Sequence, residues 1–324
     1  MDHNLIFSIT SAEAFERMAL ETFRYQYENV TTYRNFCDAI HTKVESIDEF
    51  SKIPFLPIHF FTSETILAED LDTVITFESS GTTGSIPSKH PIHDISLYRR
   101  SFGEAFRSYY GDPKEYAILA LLPSYLERQG SSLVYMVDHL ISESDHPKSG
   151  FYLHNLDQLA NAIRELEASG TKTLLIGVSF ALLDLVEKYR FNLKNTLVME
   201  TGGMKGRRKE MIREELHEVL KDGFGIQEIH SEYGMTELLS QAYSKGNGIF
   251  TCPPWMKVLT RDPEDPFTYV EGKTGGVNVI DLANRYSCSF IATQDLGRCY
   301  PDGSFEILGR FDTSDIRGCN LMAL

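Results

Sequence analysis

Phe77-Glu78-Ser79-Ser80-Gly81-Thr82-Thr83-Gly84-Ser85-Ile86-Pro87-Ser88-Lys89 follows a run of β-forming residues, Thr73–Phe77 (TVITF), and passes through hydroxyls and glycines to a lysine. Glycine tolerates positive φ and close backbone approach, so consecutive N–H groups here can converge on phosphate oxygens. The hydroxyls add donors, and Lys89 adds a point charge. The segment is not a Walker A loop, because GxxxxGK[ST] demands glycine where Ser88 stands. Taken alone, the loop also reads as a surface turn.

Outward from this loop, extended and helical segments alternate from about residue 11 to 240. Tyr116–Leu122, Thr173–Val178 and Thr196–Met199 read, like Thr73–Phe77, as short buried strands. Asp94–Tyr110, Ser179–Tyr189 and Gly206–Leu220 read as the helices that follow. Ser11–Tyr27 and Asn155–Ala168 read as amphipathic helices, and Ser46 with Glu49 as a short capping box. Such alternation argues for an α/β core with a parallel sheet covered on both faces. After about residue 245 the pattern changes to short extended pieces between Gly, Pro and Asp clusters: Gly248–Thr251, Met256–Arg261, Gly276–Asp281, Ser289–Thr293 and Ser304–Leu308. These predict a small β-rich part.

Composition narrows the function. The 324 residues are 42% apolar and 24% charged, enough for a large core. With 31 Lys and Arg against 46 Asp and Glu, the net charge is −15. That disfavours a general grip on nucleic acid or an anionic membrane, though not a local basic pocket. No run approaches a membrane span and no secretory signal is evident. Five dispersed cysteines without a CxxC argue against a disulfide framework or structural zinc, and fit a cytoplasmic enzyme.

Four further motifs carry chemistry. Ser231-Glu232-Tyr233-Gly234-Met235-Thr236-Glu237 follows the extended segment Ile226–His230. Tyr233 beside Gly234 can offer a ring to a base, Thr236 can donate to a phosphate, and Glu237 offers Mg²⁺ a hard oxygen ligand. The same residues also read as a strand-to-helix turn. In Thr201-Gly202-Gly203-Met204-Lys205-Gly206 the paired glycines let a flat ring lie near backbone, or serve only a strand-to-helix turn that needs positive φ. Asp295 in Thr293-Gln294-Asp295-Leu296-Gly297-Arg298 can accept from a vicinal diol. Gly309-Arg310-Phe311-Asp312 comes just before the end. Each of the last two alone also passes as a β-turn.

Taken together, the order and spacing of the five motifs resemble the adenylate-forming superfamily of acyl-CoA ligases, peptide-synthetase adenylation domains and firefly-type luciferases, over roughly residues 73 to 318. The resemblance implies the α/β large N-terminal domain of that fold, stacked αβα subdomains with a small β-barrel-like part. It spans 1–311, its β-rich part about 245–311, with 312–324 a short arm after the hinge. Ser79, Ser80, Gly81, Thr82, Thr83 and Gly84 with Lys89 match the phosphate loop, although the family's spacing from last glycine to lysine is shorter. Gly202, Gly203, Tyr233 and Gly234 match the adenine-side turns. Glu237 stands at the Mg²⁺ position and Thr236 at the α-phosphate. Asp295 matches the ribose-binding Asp, Arg310 the arginine before the lid, and Asp312 the hinge.

In that superfamily a lid domain follows the hinge; here twelve residues follow Asp312, so the lid is expected to be essentially absent. Asp315-Ile316-Arg317-Gly318-Cys319 supplies a candidate thiol, since a thiolate beside a cation attacks acyl groups. Seven residues from Asp312 give Cys319 a reach of roughly 24 Å at ~3.4 Å each. The arrangement resembles the acyl-protein synthetases of the LuxE type, which end shortly after the hinge and carry an acyl-accepting cysteine. Residues 53–61 (IPFLPIHFF) and 122–138 (LPSYLERQGSSLVYMVD) also resemble that family.

The resemblance implies an ATP- and Mg²⁺-dependent ligase. It activates a carboxylic, fatty, acid as an acyl-adenylate, moves the acyl group to Cys319 as a thioester, and delivers it to an acyl-CoA-reductase-like protein or an acyl carrier. Two alternatives stand beside it: an acid:CoA or acid:carrier ligase with its lid in trans, and a non-catalytic nucleotide-binding scaffold. Among lesser candidates, His230 can face the carboxylate or serve structure, and Tyr125 and Gln129 can line an acyl pocket or merely pack. Cys37, Cys252, Cys288 and Cys299 read as packing or turn residues.

Overall fold

The computed structural model describes residues 3–79, 86–122, 130–152, 155–202 and 211–311. The chain forms two compact units, one of Met1–Leu71 with Pro254–Leu324 and one of Asp72–Pro253.

The first unit begins with α1 (Ala12–Asn29), started by Ser11, whose Oγ accepts from the Ala14 N–H, and with α2 (Thr31–Ala39). The Ser46–Glu49 signal starts no α-helix. The Ser46 hydroxyl donates to the Lys43 carbonyl, and Glu49 makes no side-chain cap. Pro54 and Pro57 follow closely and deny the segment room for a helix. A short strand, β1 (Leu56–Pro57), and a single helical turn, α3 (Phe60–Ser63), complete this portion.

The second unit opens with a hairpin of β2 (Ile75–Glu78) and β3 (Lys89–Ile92), paired antiparallel as a two-stranded sheet. The expected buried strand at Thr73–Phe77 is therefore a half-covered hairpin arm, because its partner is the next stretch of chain. Next come α4 (Ile95–Tyr110), β4 (Ala117–Leu121), α5 (Ser132–Ser144), β5 (Gly150–Phe151) and α6 (Leu156–Ser169). Then follow β6 (Thr173–Gly177), α7 (Ser179–Lys188), β7 (Thr196–Glu200), α8 (Arg213–Phe224), β8 (His230–Tyr233), β9 (Ala242–Ser244) and β10 (Ile249–Thr251). Strands β5, β4, β6, β7 and β8 lie in that order, each parallel to its neighbour; β9 and β10 extend the sheet antiparallel. Every residue of β4 and β6 is buried, as strands covered on both faces must be. Asp94, Ser131 and Asn155 cap α4, α5 and α6 through side-chain oxygens. Of the stretch expected to be helical from Gly206, residues 206–210 lie outside the described residues; helix α8 starts at Arg213, with Glu214 and Glu215 in its first turn, where carboxylates favour a helix N-terminus.

The chain returns to the first unit as β11 (Met256–Arg261), β12 (Gly275–Asp281), β13 (Phe290–Cys299) and β14 (Phe305–Arg310), an antiparallel meander that β1 joins parallel to β13. Both Thr293–Arg298 and Gly309–Arg310 are strand, not β-turn, since β13 continues between partners on either side. Tyr33 stacks on Phe290 at 6.2 Å in this unit's core. The buried amide of Gln26 donates to the Asn284 and Arg285 carbonyls at 2.9 Å and accepts from the Ser289 N–H. Among the described residues, no helix is long and apolar enough to cross a membrane.

Candidate functional site

In the second unit the hydroxyl-rich segment connects β2 to β3 in sequence, and the described part of it is where the two strands meet. Its base is closed by the Ser79 N–H on the Ser88 carbonyl at 3.0 Å and the Ser88 N–H on Ser79 Oγ at 2.8 Å. Lys89 is exposed and starts β3 opposite Glu78. Ser80, Gly81, Thr82, Thr83 and Gly84 lie outside the described residues, as do Tyr125 and Gln129.

The Tyr233–Glu237 motif leaves β8 through a turn, with the Leu238 N–H on the Met235 carbonyl at 3.0 Å, and runs on toward antiparallel β9. No helix follows, so the strand-to-helix reading gives way. Glu237 is buried and Thr236 half-buried. Tyr233 is buried, its ring edge-on to Phe250 at 5.9 Å. Gly234 passes so close to the Glu232 carboxyl and the Gln241 side chain that a Cβ would collide with Glu232. A larger residue there would have to displace the flexible Glu232 carboxyl.

His90 joins the two motifs. Its Nδ1 lies 2.8 Å from the Thr236 carbonyl, 146 residues away in sequence. A carbonyl only accepts, so Nδ1 carries the proton. Burial depresses the imidazole to about 4, keeping it neutral near pH 7. Nothing in the sequence singled His90 out; its position directly after Lys89 was the available signal.

At the end of β7, Gly202 has φ +70°, the left-handed region that glycine adopts without strain. Its N–H donates to Glu200 Oε2 at 2.7 Å. Burial pushes the Glu200 carboxyl up, but His217, Arg213, Ser231 and the Gly202 N–H outweigh burial and bring it to about 2. On β8, burial and the Glu200 charge push Glu232 up to about 8. Neither carboxyl was foreseen from sequence. Gly203 lies outside the described residues.

His230 packs against Tyr110 in this unit. Its Nδ1 is 3.3 Å from the Tyr110 hydroxyl, and burial, then the Lys245 charge, depress it to about 4.

In the first unit Asp295 on β13 faces Arg310 on β14 in register, with Arg310 Nε donating to Asp295 Oδ1 at 2.8 Å. Arg261 lies behind them, donating to the Thr293 carbonyl at 2.6 Å and to Asn278 Oδ1 at 2.6 Å, with the Phe311 ring 5.8 Å from its guanidinium. Asp312 and Cys319 lie outside the described residues. Of the other cysteines, burial pushes Cys37 up to about 12 and raises Cys288 and Cys299, so none of these three is an activated thiolate.

Comparison with known families gives a match over residues 5–323 to the family described as acyl-protein synthetase, LuxE. The chain belongs to that family. A relative from Vibrio harveyi, long-chain-fatty-acid–luciferin-component ligase, is 25% identical over 328 residues, covering 94% of this chain and 86% of that protein. Among solved structures, an open form of 2-hydroxyisobutyryl-CoA ligase holding 2-HIB-AMP and CoA aligns with a TM-score of 0.68 at 12% identity, over 96% of this chain and 75% of that one. ATP-bound MatB from Rhodopseudomonas palustris aligns with a TM-score of 0.54 at 16% identity, over 74% of this chain. The acyl-protein synthetase chain spans about half the length of MatB, 48%. At these identities the likeness shows a shared fold, that of the adenylate-forming enzymes.

Proposed function

We propose that this acyl-protein synthetase activates a fatty acid with ATP. A carboxylate oxygen attacks the α-phosphorus, the bond to the leaving pyrophosphate breaks, and acyl-AMP remains. The Cys319 thiolate then attacks the acyl carbon, the bond to AMP breaks, and a thioester is left for an acceptor such as an acyl-CoA-reductase-like protein or an acyl carrier.

The observation that carries the first half is the His90 bond to Thr236. It ties the base of the Ser79–Lys89 hairpin to the Thr236–Glu237 turn, so the two motifs expected on the phosphate side adjoin. Ser79, Lys89 and Thr236 then hold phosphate oxygens, and their charge and dipoles offset charge developing during transfer. Glu237, a buried carboxylate beside Thr236, suits Mg²⁺, which when bound neutralises phosphate charge. Tyr233, Gly234 and Gly202 are assigned to adenine, and Asp295 with Arg310 to ribose, each by its match to the superfamily motifs. The substrate class follows the Vibrio harveyi relative, whose name specifies a long-chain fatty acid.

ATP–pyrophosphate exchange with a panel of fatty acids tests the activation step, and intact mass after incubation with ATP and acid tests the transfer. Cys319→Ser is expected to keep exchange and lose the covalent acyl adduct. An adduct that persists on this variant rejects Cys319 as the acceptor, and absence of exchange with every acid rejects the ligase.

A further inference from the structure

Glu200 occupies the last position of β7, and its two oxygens do different work. Oε2 accepts from the Gly202 N–H at 2.7 Å and from the Ser179 hydroxyl at 3.2 Å. Oε1 faces the Arg213 guanidinium at 3.4 Å and His217 Nε2 at 3.7 Å, both on α8. Backbone bonds complete the frame: the Ser179 N–H meets the Gly202 carbonyl at 2.9 Å, and the Thr201 N–H meets the Gly177 carbonyl at 3.1 Å. One carboxylate therefore ties together the start of α7, the turn after β7 and the first turns of α8. Glu200 thus contacts both Gly202, two residues after it, and Arg213 at the start of α8.

The placement matters because Gly202 needs holding. Glycine loses more conformational freedom on ordering than any other residue, and φ +70° is one of several states open to it. A hydrogen bond from its N–H to an ionised acceptor is among the stronger restraints available. The alternative is a purely architectural ion pair. A buried carboxylate facing Arg213 and His217 would serve that end without also engaging the backbone of the turn.

We propose that Glu200 is a positioning residue for ATP binding, its carboxylate fixing the Gly202 turn in the conformation that meets the adenine side of the nucleotide. The inference rests on the acid-activating function proposed above. Glu200 touches no reacting atom; it acts through the turn. Its contribution therefore falls on nucleotide affinity and not on the chemical step.

Glu200→Gln keeps an acceptor of the same size but withdraws the charge from Gly202, Arg213 and His217. In ATP–pyrophosphate exchange with saturating fatty acid, the variant is expected to raise KM for ATP about tenfold while kcat stays within about twofold. KM for the fatty acid should be unmoved. Titration calorimetry with ATP alone should show the same loss in affinity. A variant with less active protein but unchanged KM and Kd for ATP overturns the proposal in favour of a structural role. If Glu200→Gln does not fold, Ser179→Ala removes only the hydroxyl that holds the same oxygen, and an ATP KM raised about threefold supports the assignment; an unchanged one overturns it. A wild type that neither exchanges pyrophosphate nor binds ATP rejects the function and this inference together, whereas an active wild type with an indifferent Glu200→Gln rejects the inference alone.

Discussion

The ends of β7 and β8 offer two carboxyls in opposite states. Glu200 lies opposite Ser231 in the parallel ladder, so Glu232 stands one residue further along the neighbouring strand. Glu200 is the more buried, yet it is the ionised one, brought to about 2 by its partners. Glu232 has no hydrogen-bond partner among the described residues, and burial with the Glu200 charge pushes it to about 8. Partners, not depth, decide which carboxyl keeps its proton. The pair also divides the labour: the charged member holds the Gly202 turn, and the neutral member sits against Gly234. Two adjacent carboxyls whose environments drive their pKa values apart are a common sign of a site that handles charge.

The largest break in this comparison comes from deleting the charged member. Glu200→Leu takes the carboxylate away from half-buried Arg213 and buried His217 and frees the Gly202 N–H. The expected cost is about 3–5 kcal/mol in denaturant unfolding. The pH sign follows from the lowered pKa. An ordinary glutamate titrates near 4.5, so the Glu200 contribution is complete above that value and is lost as pH falls toward 2. The gap between wild type and variant should therefore narrow in acid. A gap that stays constant down to pH 3 would mean packing, not charge, is what the leucine disturbs.

Which parts of this were legible in sequence follows from local physics. The apolar runs AILAL and TLLIG announced buried parallel strands, because a strand covered on both faces has no polar alternation to hide it. The stretches Asp94–Tyr110 and Asn155–Ala168 were legible as helices, and Asp94 and Asn155 cap them in the structure. Helix α5 escaped because its apolar residues sit among serines and were read only as part of a longer family-like stretch. The continuation of β13 through Thr293–Gly297 escaped because glycine and aspartate resemble a turn until partners on both sides are known. Glu200, Glu232 and His90 were invisible for a simpler reason. Each is a single polar residue in a strand, and its meaning lies in contacts with residues on other elements.

The neutral member gives the second test, with the opposite sign. Between about pH 4.5 and 8 the folded chain keeps a proton on Glu232 that the unfolded chain has released, so this residue lowers stability as pH rises through that window. Glu232→Gln cannot ionise. It should leave stability unchanged near pH 4.5 and increase it at pH 8 by about 4 kcal/mol, read by chemical denaturation at both values. An equal effect at the two pH values would show that the amide changed packing and not protonation.

The smallest effect asks whether burial alone explains the raised carboxyl. His230 lies two residues before Glu232, on the same face of β8, and is likewise held in its neutral form, at about 4. Burial is the leading cause and the Lys245 charge the lesser one. Lys245→Met removes that lesser cause without opening the strand, because Lys245 is exposed. The His230 titration, followed by NMR, should move up by less than about one unit, as expected for a solvent-screened charge. A return to the ordinary histidine value would assign the shift to Lys245. It would then follow that this face of β8 is polar enough to ionise, and that Glu232 owes its proton to the Glu200 charge rather than to its surroundings.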